Sequence, residues 1–137
     1  ISFKNDINEL TKLQDITEQF SDEYNINRKV EKSLNLILEE LISNIMFYGY
    51  KGAETATSDR EIQVKFSHSE DSITVNIEDD GTEFNPLTDA PQDDTFTDLD
   101  NRPIGGLGIK IIKKMASSID YERNSEKNKV TITKELA

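Results

Sequence analysis

Residues 73–86 read Ile-Thr-Val-Asn-Ile-Glu-Asp-Asp-Gly-Thr-Glu-Phe-Asn-Pro. The first six alternate apolar and polar, the period of a half-buried strand. Ile73, Val75 and Ile77 share one face, and Asp79 has the same parity. A carboxylate therefore stands at the end of an apolar row, where it needs a hydrogen-bond donor. The exocyclic amine of a flat, apolar base would serve, and Gly81 would let that base approach the backbone. Taken alone, Asp-Asp-Gly also reads as an ordinary turn with a local Asp cap.

Upstream of this stretch the pattern is helical. Ile7, Leu10, Leu13, Ile16 and Phe20 recur at helical spacing, with Asp6 and Glu9 placed as a capping box. Residues 25–27 are a break carrying a new N-cap. Val30, Leu34, Ile37, Leu38, Leu41, Ile45 and Tyr48 then mark a long helix closed by Gly49. Residues 51–60 read as a loop, and Ile62, Val64 and Phe66 as a strand preceding that of residues 73–79. A short strand opens the chain at residues 1–4. Downstream, residues 80–104 hold all three Pro outside any period. So long an irregular stretch in a small domain reads as a lid over a ligand. A Gly-rich turn at 105–108 opens a helix with Ile109, Ile112 and Met115, and residues 119–123 and 128–135 close the chain as two strands.

Two further groups carry chemistry. Glu40 and Asn44, four apart, share a face of the long helix. Leu36 and Phe47 flank Asn44 on one side, Ile37 and Tyr48 on the other. The pair reads either as an exposed pair bordering the core, or as a carboxylate base beside an amide oxygen for a hard cation such as Mg²⁺. Gly105-Gly106-Leu107-Gly108 runs into a helix, so its N–H groups are free to face phosphate oxygens; close packing at a helix start is the plainer alternative. His68, the one histidine, falls in or just after a strand and reads as a surface residue.

Composition narrows the function. The 137 residues carry a net charge of −11, with no Cys and no Trp. Such acidity argues against a nucleic-acid groove and against docking on anionic lipid. A single His and no Cys exclude thiolate and His-rich metal sites. No apolar run is long enough to span a bilayer, no signal peptide is visible, and a cytoplasmic location is expected. The chain begins at Ile1, so excision from a longer protein is expected. Acidity concentrates in residues 78–100, with nine acidic and no basic residues. Asp89, Asp93, Asp94, Asp98 and Asp100 are expected to face solvent or to be disordered when no ligand is bound.

The order of these segments is more specific than any one of them. Residues 38–44, 79–86 and 102–109 resemble the N, G1 and G2 boxes of the GHKL (Bergerat-fold) ATPases, and within them the anti-sigma-factor serine kinases of the RsbW/SpoIIAB type. The resemblance covers nearly the whole chain as one domain, 1–137. It implies an α/β (α+β) two-layer sandwich, with helices on one face of a mixed β-sheet and an ATP lid at about 85–104. It implies ATP and Mg²⁺ as cofactors. Carried over by position, Glu40 would be the catalytic base and Asn44 the metal-holding residue. Asp79 would accept from the adenine amino group, with Gly81 beneath the ring and Phe84 beside it. Gly105, Gly106, Leu107 and Gly108 would bind phosphates, with Arg102 reaching a terminal phosphate. The implied partners are an anti-anti-sigma (STAS-domain) protein, phosphorylated on Ser, and a sigma factor, and such kinases often form homodimers. The sequence departs from the pattern at Glu83, at Tyr48, and at Lys127-Asn128, which stands where other members have Gly-Thr. A nucleotide-binding module without transfer chemistry is the alternative; a histidine-kinase catalytic domain is disfavoured because His68 is a poor phosphoacceptor.

Overall fold

In a computed structural model, residues 2–4, 7–46, 61–81, 83–88 and 109–136 are described. The alternation at residues 73–79 is realised as a strand at Ser72–Asp79 in which every second residue is buried. In chain order the elements are β1 (Ser2–Lys4), a 3-10 turn (Ile7–Leu10), α1 (Thr11–Glu23), α2 (Arg28–Asn44), β2 (Glu61–His68), β3 (Ser72–Asp79), α3 (Ile109–Met115), β4 (Ser118–Asn124) and β5 (Lys127–Glu135). The five strands form one sheet in the order β1-β2-β3-β5-β4.

This is the expected α+β sandwich, with one correction. All four pairings are antiparallel, so the sheet described is not mixed. β3 and β4 do run in the same direction, as a strand–helix–strand crossover requires, but β5 lies between them and pairs antiparallel with both. The two-residue turn between β4 and β5 allows this insertion. It is closed by Asn124 opposite Lys127, with Ser125 and Glu126 at φ 53° and 65°. The pairing of β5 with β3 puts Asn128 opposite Asp79.

The core lies between one face of the sheet and the helices. Ile62 and Val64 of β2, Ile73, Val75 and Ile77 of β3, and Val130 and Ile132 of β5 pack with Leu34, Ile37, Leu38, Leu41 and Ile42 of α2 and with Ile109 and Ile112 of α3. Each such fully buried aliphatic side chain stabilises the fold by roughly 1.5–3 kcal/mol.

Local chemistry ends the helices where the sequence changes. The Ile26 N–H donates to the Ser21 carbonyl across Asn25, whose φ is 55°. This is the left-handed helix stop that Asn tolerates. Asn27 then caps α2, its Oδ1 accepting from the Val30 N–H at 2.9 Å. The start of α1 differs from expectation. The helix proper begins at Thr11 after the 3-10 turn and has no side-chain cap. Glu9 pairs with Lys12 at 2.8 Å; Asp6, the other half of the expected capping box, lies outside the described residues. Gly49, expected to close α2, also lies outside them.

Candidate functional site

Seven polar or charged residues are buried among those described: Thr17, Ser21, Glu40, Ser43, Asn44, Asp79 and Asn128. Buried polar groups are costly, so their places in the fold are informative. Thr17 and Ser43 are accounted for by hydrogen bonds to carbonyls of their own helices. Four of the others stand in or against the expected site.

Glu40 and Asn44 occupy the buried face of α2, at 4% and 3% exposure. The exposed-pair alternative is therefore excluded. Leu41, Ile42 and Ile45 surround them in sequence and are fully buried. Leu36, expected as an apolar flank of Asn44, is instead exposed. Position 36 falls toward the solvent side of α2, opposite the stripe through residues 34, 37, 38 and 41.

Asp79 ends β3 at 4% exposure. Its Oδ1 accepts from the Gly81 N–H at 3.0 Å and from Asn128 Nδ2 at 2.9 Å. Among the described residues both donors serve Oδ1, leaving Oδ2 available to a donor from outside the protein. Burial pushes the Asp79 carboxyl above the ordinary 3.8, partly opposed by the Asn128 and Gly81 hydrogen bonds; Asp80 raises it further and Arg123 lowers it. Arg123 also donates to the Gly81 carbonyl at 2.9 Å, which ties the turn to β4. Gly81 is buried. Phe84 and Pro86 are buried as well, and the Phe84 N–H donates to Asn128 Oδ1 at 3.2 Å.

Asp79, Gly81 and Phe84 are thus joined by direct hydrogen bonds through Asn128. Glu40 and Asn44 stand next to Ile45 and Met46, which belong to the same core cluster as Ile77 and Phe84. Arg102, Gly105, Gly106, Leu107 and Gly108 lie outside the described residues, as do Tyr48, the five lid aspartates and most of the expected lid. His68 is exposed, as expected, and stacks on Tyr24 with ring centroids 4.7 Å apart.

Residues 3–134 match the family described as the histidine kinase-like ATPase domain. The chain belongs to this family. Its similarity to curated members is modest. The serine-protein kinase RsbW of Listeria monocytogenes serovar 1/2a is 30% identical over 91 residues, covering 64% of this chain and 55% of that protein. The serine-protein kinase RsbW of Listeria innocua serovar 6a is 29% identical over the same shares. The chain thus spans about half the length of the curated relatives it matches. Among solved structures, the Acinetobacter baumannii histidine kinase AdeS overlays with a TM-score of 0.48 at 21% identity, covering 77% of this chain and 47% of that one.

Within this histidine kinase-like ATPase domain, three residues around Asp79 escaped the sequence reading as contributors. Asn128 is 1% exposed, Tyr121 donates its hydroxyl to Asn128 Oδ1, and Arg123 holds the Gly81 carbonyl. The available signal was parity: Asn128 continues the buried row of Val130 and Ile132. A polar residue in an apolar row asks for a partner, as Asp79 does.

The donor set suits a nucleotide. Asp79 Oδ2 offers a carboxylate acceptor at the apolar end of the sheet, beside a glycine and a buried Phe. No group of three His, Cys, Asp or Glu side chains among the described residues could hold a metal ion by itself. Asn44 could supply one oxygen to Mg²⁺ only if phosphate and water completed the shell, as is usual for that ion. No helix of the described residues is long and apolar enough to cross a membrane.

Proposed function

We propose that this chain binds ATP with Mg²⁺ and acts as a protein serine kinase and anti-sigma switch. It would phosphorylate a Ser of an anti-anti-sigma (STAS-domain) protein and otherwise hold a sigma factor. The observation that carries the reading is the buried Asp79, whose donors among the described residues, the Gly81 N–H and Asn128 Nδ2, both serve one oxygen. The family membership and the RsbW relatives support the choice of ATP and of a serine kinase.

In this reading Asp79 Oδ2 accepts from the adenine amino group. Gly81 lets the ring lie against the backbone, and Phe84 covers its edge. Glu40, buried on α2, takes the proton from the substrate Ser hydroxyl as its oxygen attacks the terminal phosphorus. Asn44 holds Mg²⁺ through its side-chain oxygen, and the ion, when bound, neutralises charge on the phosphates. Gly105, Gly106, Leu107 and Gly108 supply backbone N–H groups to the phosphates, with Arg102 at the terminal one.

The test is transfer of radiolabel from γ-labelled ATP to a STAS-domain protein. Transfer should be lost in Glu40→Ala while ADP binding is retained. A wild-type chain that binds both ATP and the partner yet transfers no label would refute the kinase reading and leave a nucleotide-dependent interaction module.

A further inference from the structure

We infer that Asn128 is the positioning residue that fixes which ligand atoms Asp79 can accept, and so sets the preference for a 6-amino over a 6-keto purine. The inference rests on the nucleotide reading above and goes beyond it, since the resemblance places Gly-Thr where this chain has Lys127-Asn128.

The geometry leaves Asn128 one orientation. Its Oδ1 accepts from two donors, the Phe84 N–H at 3.2 Å and the Tyr121 hydroxyl. Both would face an N–H₂ group if the amide were flipped. Nδ2 must therefore point to Asp79, and it donates to Oδ1 at 2.9 Å. That bond, with the Gly81 N–H, occupies Oδ1 and favours the ionised carboxylate. Burial and Asp80 act in the opposite sense, and Arg123 from β4 assists Asn128. When ionised, Asp79 has one oxygen held by the protein and the other acting purely as an acceptor. A 6-amino group donates to it, whereas a 6-keto oxygen meets lone pairs. Were Asp79 protonated, its hydroxyl could donate to a keto oxygen and the discrimination would fall.

Asn128 accepts from the turn and from β4 while donating to β3, so one side chain ties the base-facing carboxylate to residue 84. Asn128 is itself 1% exposed and does not reach the ligand, so its effect acts through Asp79.

The experiment compares ADP with IDP by titration calorimetry on the whole chain, across a pH series from mildly acidic to mildly alkaline. Asn128→Asp is nearly isosteric. It keeps an acceptor for Phe84 and Tyr121 but sets a second carboxyl oxygen against Asp79, so the pair shares a proton. In wild type, ADP should bind about tenfold or more tightly than IDP, the scale of one charge-assisted hydrogen bond. ADP affinity should fall as the pH drops through the Asp79 pKa. In Asn128→Asp that fall should move to higher pH and the ADP-to-IDP ratio should shrink several-fold. Tyr121→Phe, which removes one of the two Oδ1 donors, should shift both in the same direction by less, and serves if Asn128→Asp does not fold. Unchanged midpoints and ratios in the folded variants overturn the positioning role while leaving the nucleotide site intact. A wild-type chain that binds neither ADP nor ATP overturns the nucleotide reading and this inference with it.

Discussion

Replacing Asp79 by Asn should move stability and binding in opposite directions. Burial holds the Asp79 carboxyl above its ordinary 3.8 in the folded chain. A group with a raised folded pKa favours the folded state below its unfolded pKa, and that contribution is lost as pH rises through the folded value. Above its folded pKa the ionised, buried Asp79 is thus a net cost to the empty protein. Asn carries no charge to desolvate, and its Oδ1 can still accept from Gly81 and Asn128. The empty Asp79→Asn protein should melt at or above the wild-type temperature at neutral pH, and the difference should shrink on acidification.

Binding should suffer, because those two donors hold Oδ1 in place and force the new N–H₂ group toward the ligand. One charge-assisted acceptor is lost, about 1.5–3 kcal/mol, or roughly 10- to 150-fold in affinity. ADP at a hundred times the wild-type dissociation constant stabilises wild type by about 2.7 kcal/mol, and after that loss would stabilise the variant by only about 0.3–1.3 kcal/mol. Thermal melts with and without ADP, at two pH values, read both effects. A variant that melts lower when empty, yet keeps the full ADP shift, would refute the reasoning.

Three further outcomes follow from the fold. Leu41→Ala, at a fully buried position of α2, should cost about 2–5 kcal/mol in urea unfolding, through lost transfer energy and the cavity left behind. Asn27→Ala removes the cap on the Val30 N–H and should cost about 0.5–2 kcal/mol in the same assay. Replacing Ser125-Glu126 by Asn-Gly, whose backbones accept the positive φ angles of this turn, should stabilise by roughly 1 kcal/mol, and ADP binding should be unchanged because the β5 register is kept.

Much of the architecture is legible in short-range pattern. The burial period of β3 follows from Ile73, Val75 and Ile77, and the α1–α2 break from Asn25 and Asn27, because these signals depend on neighbours two to four residues away. The start of α1 moves to Thr11 because residues 7–10 form a 3-10 turn, which apolar spacing alone does not separate from an α-helix. Among the described site residues, Glu40, Asn44, Asp79, Gly81 and Phe84 all came from local motifs, and all five are buried.

The sequence by itself determined where carboxylate, amide and glycine stand on their own elements, since helix and strand periods place a side chain without reference to the rest of the chain. Only the tertiary structure decided that Asn128 faces Asp79. Those two residues are 49 positions apart, and their meeting depends on β5 inserting between β3 and β4 in the register that sets Asn128 opposite Asp79. It also decided that Glu40 and Asn44 are buried and not merely adjacent to the core. Burial depends on what packs over a helix face, and no local pattern specifies that for a carboxylate whose desolvation must be offset by long-range partners.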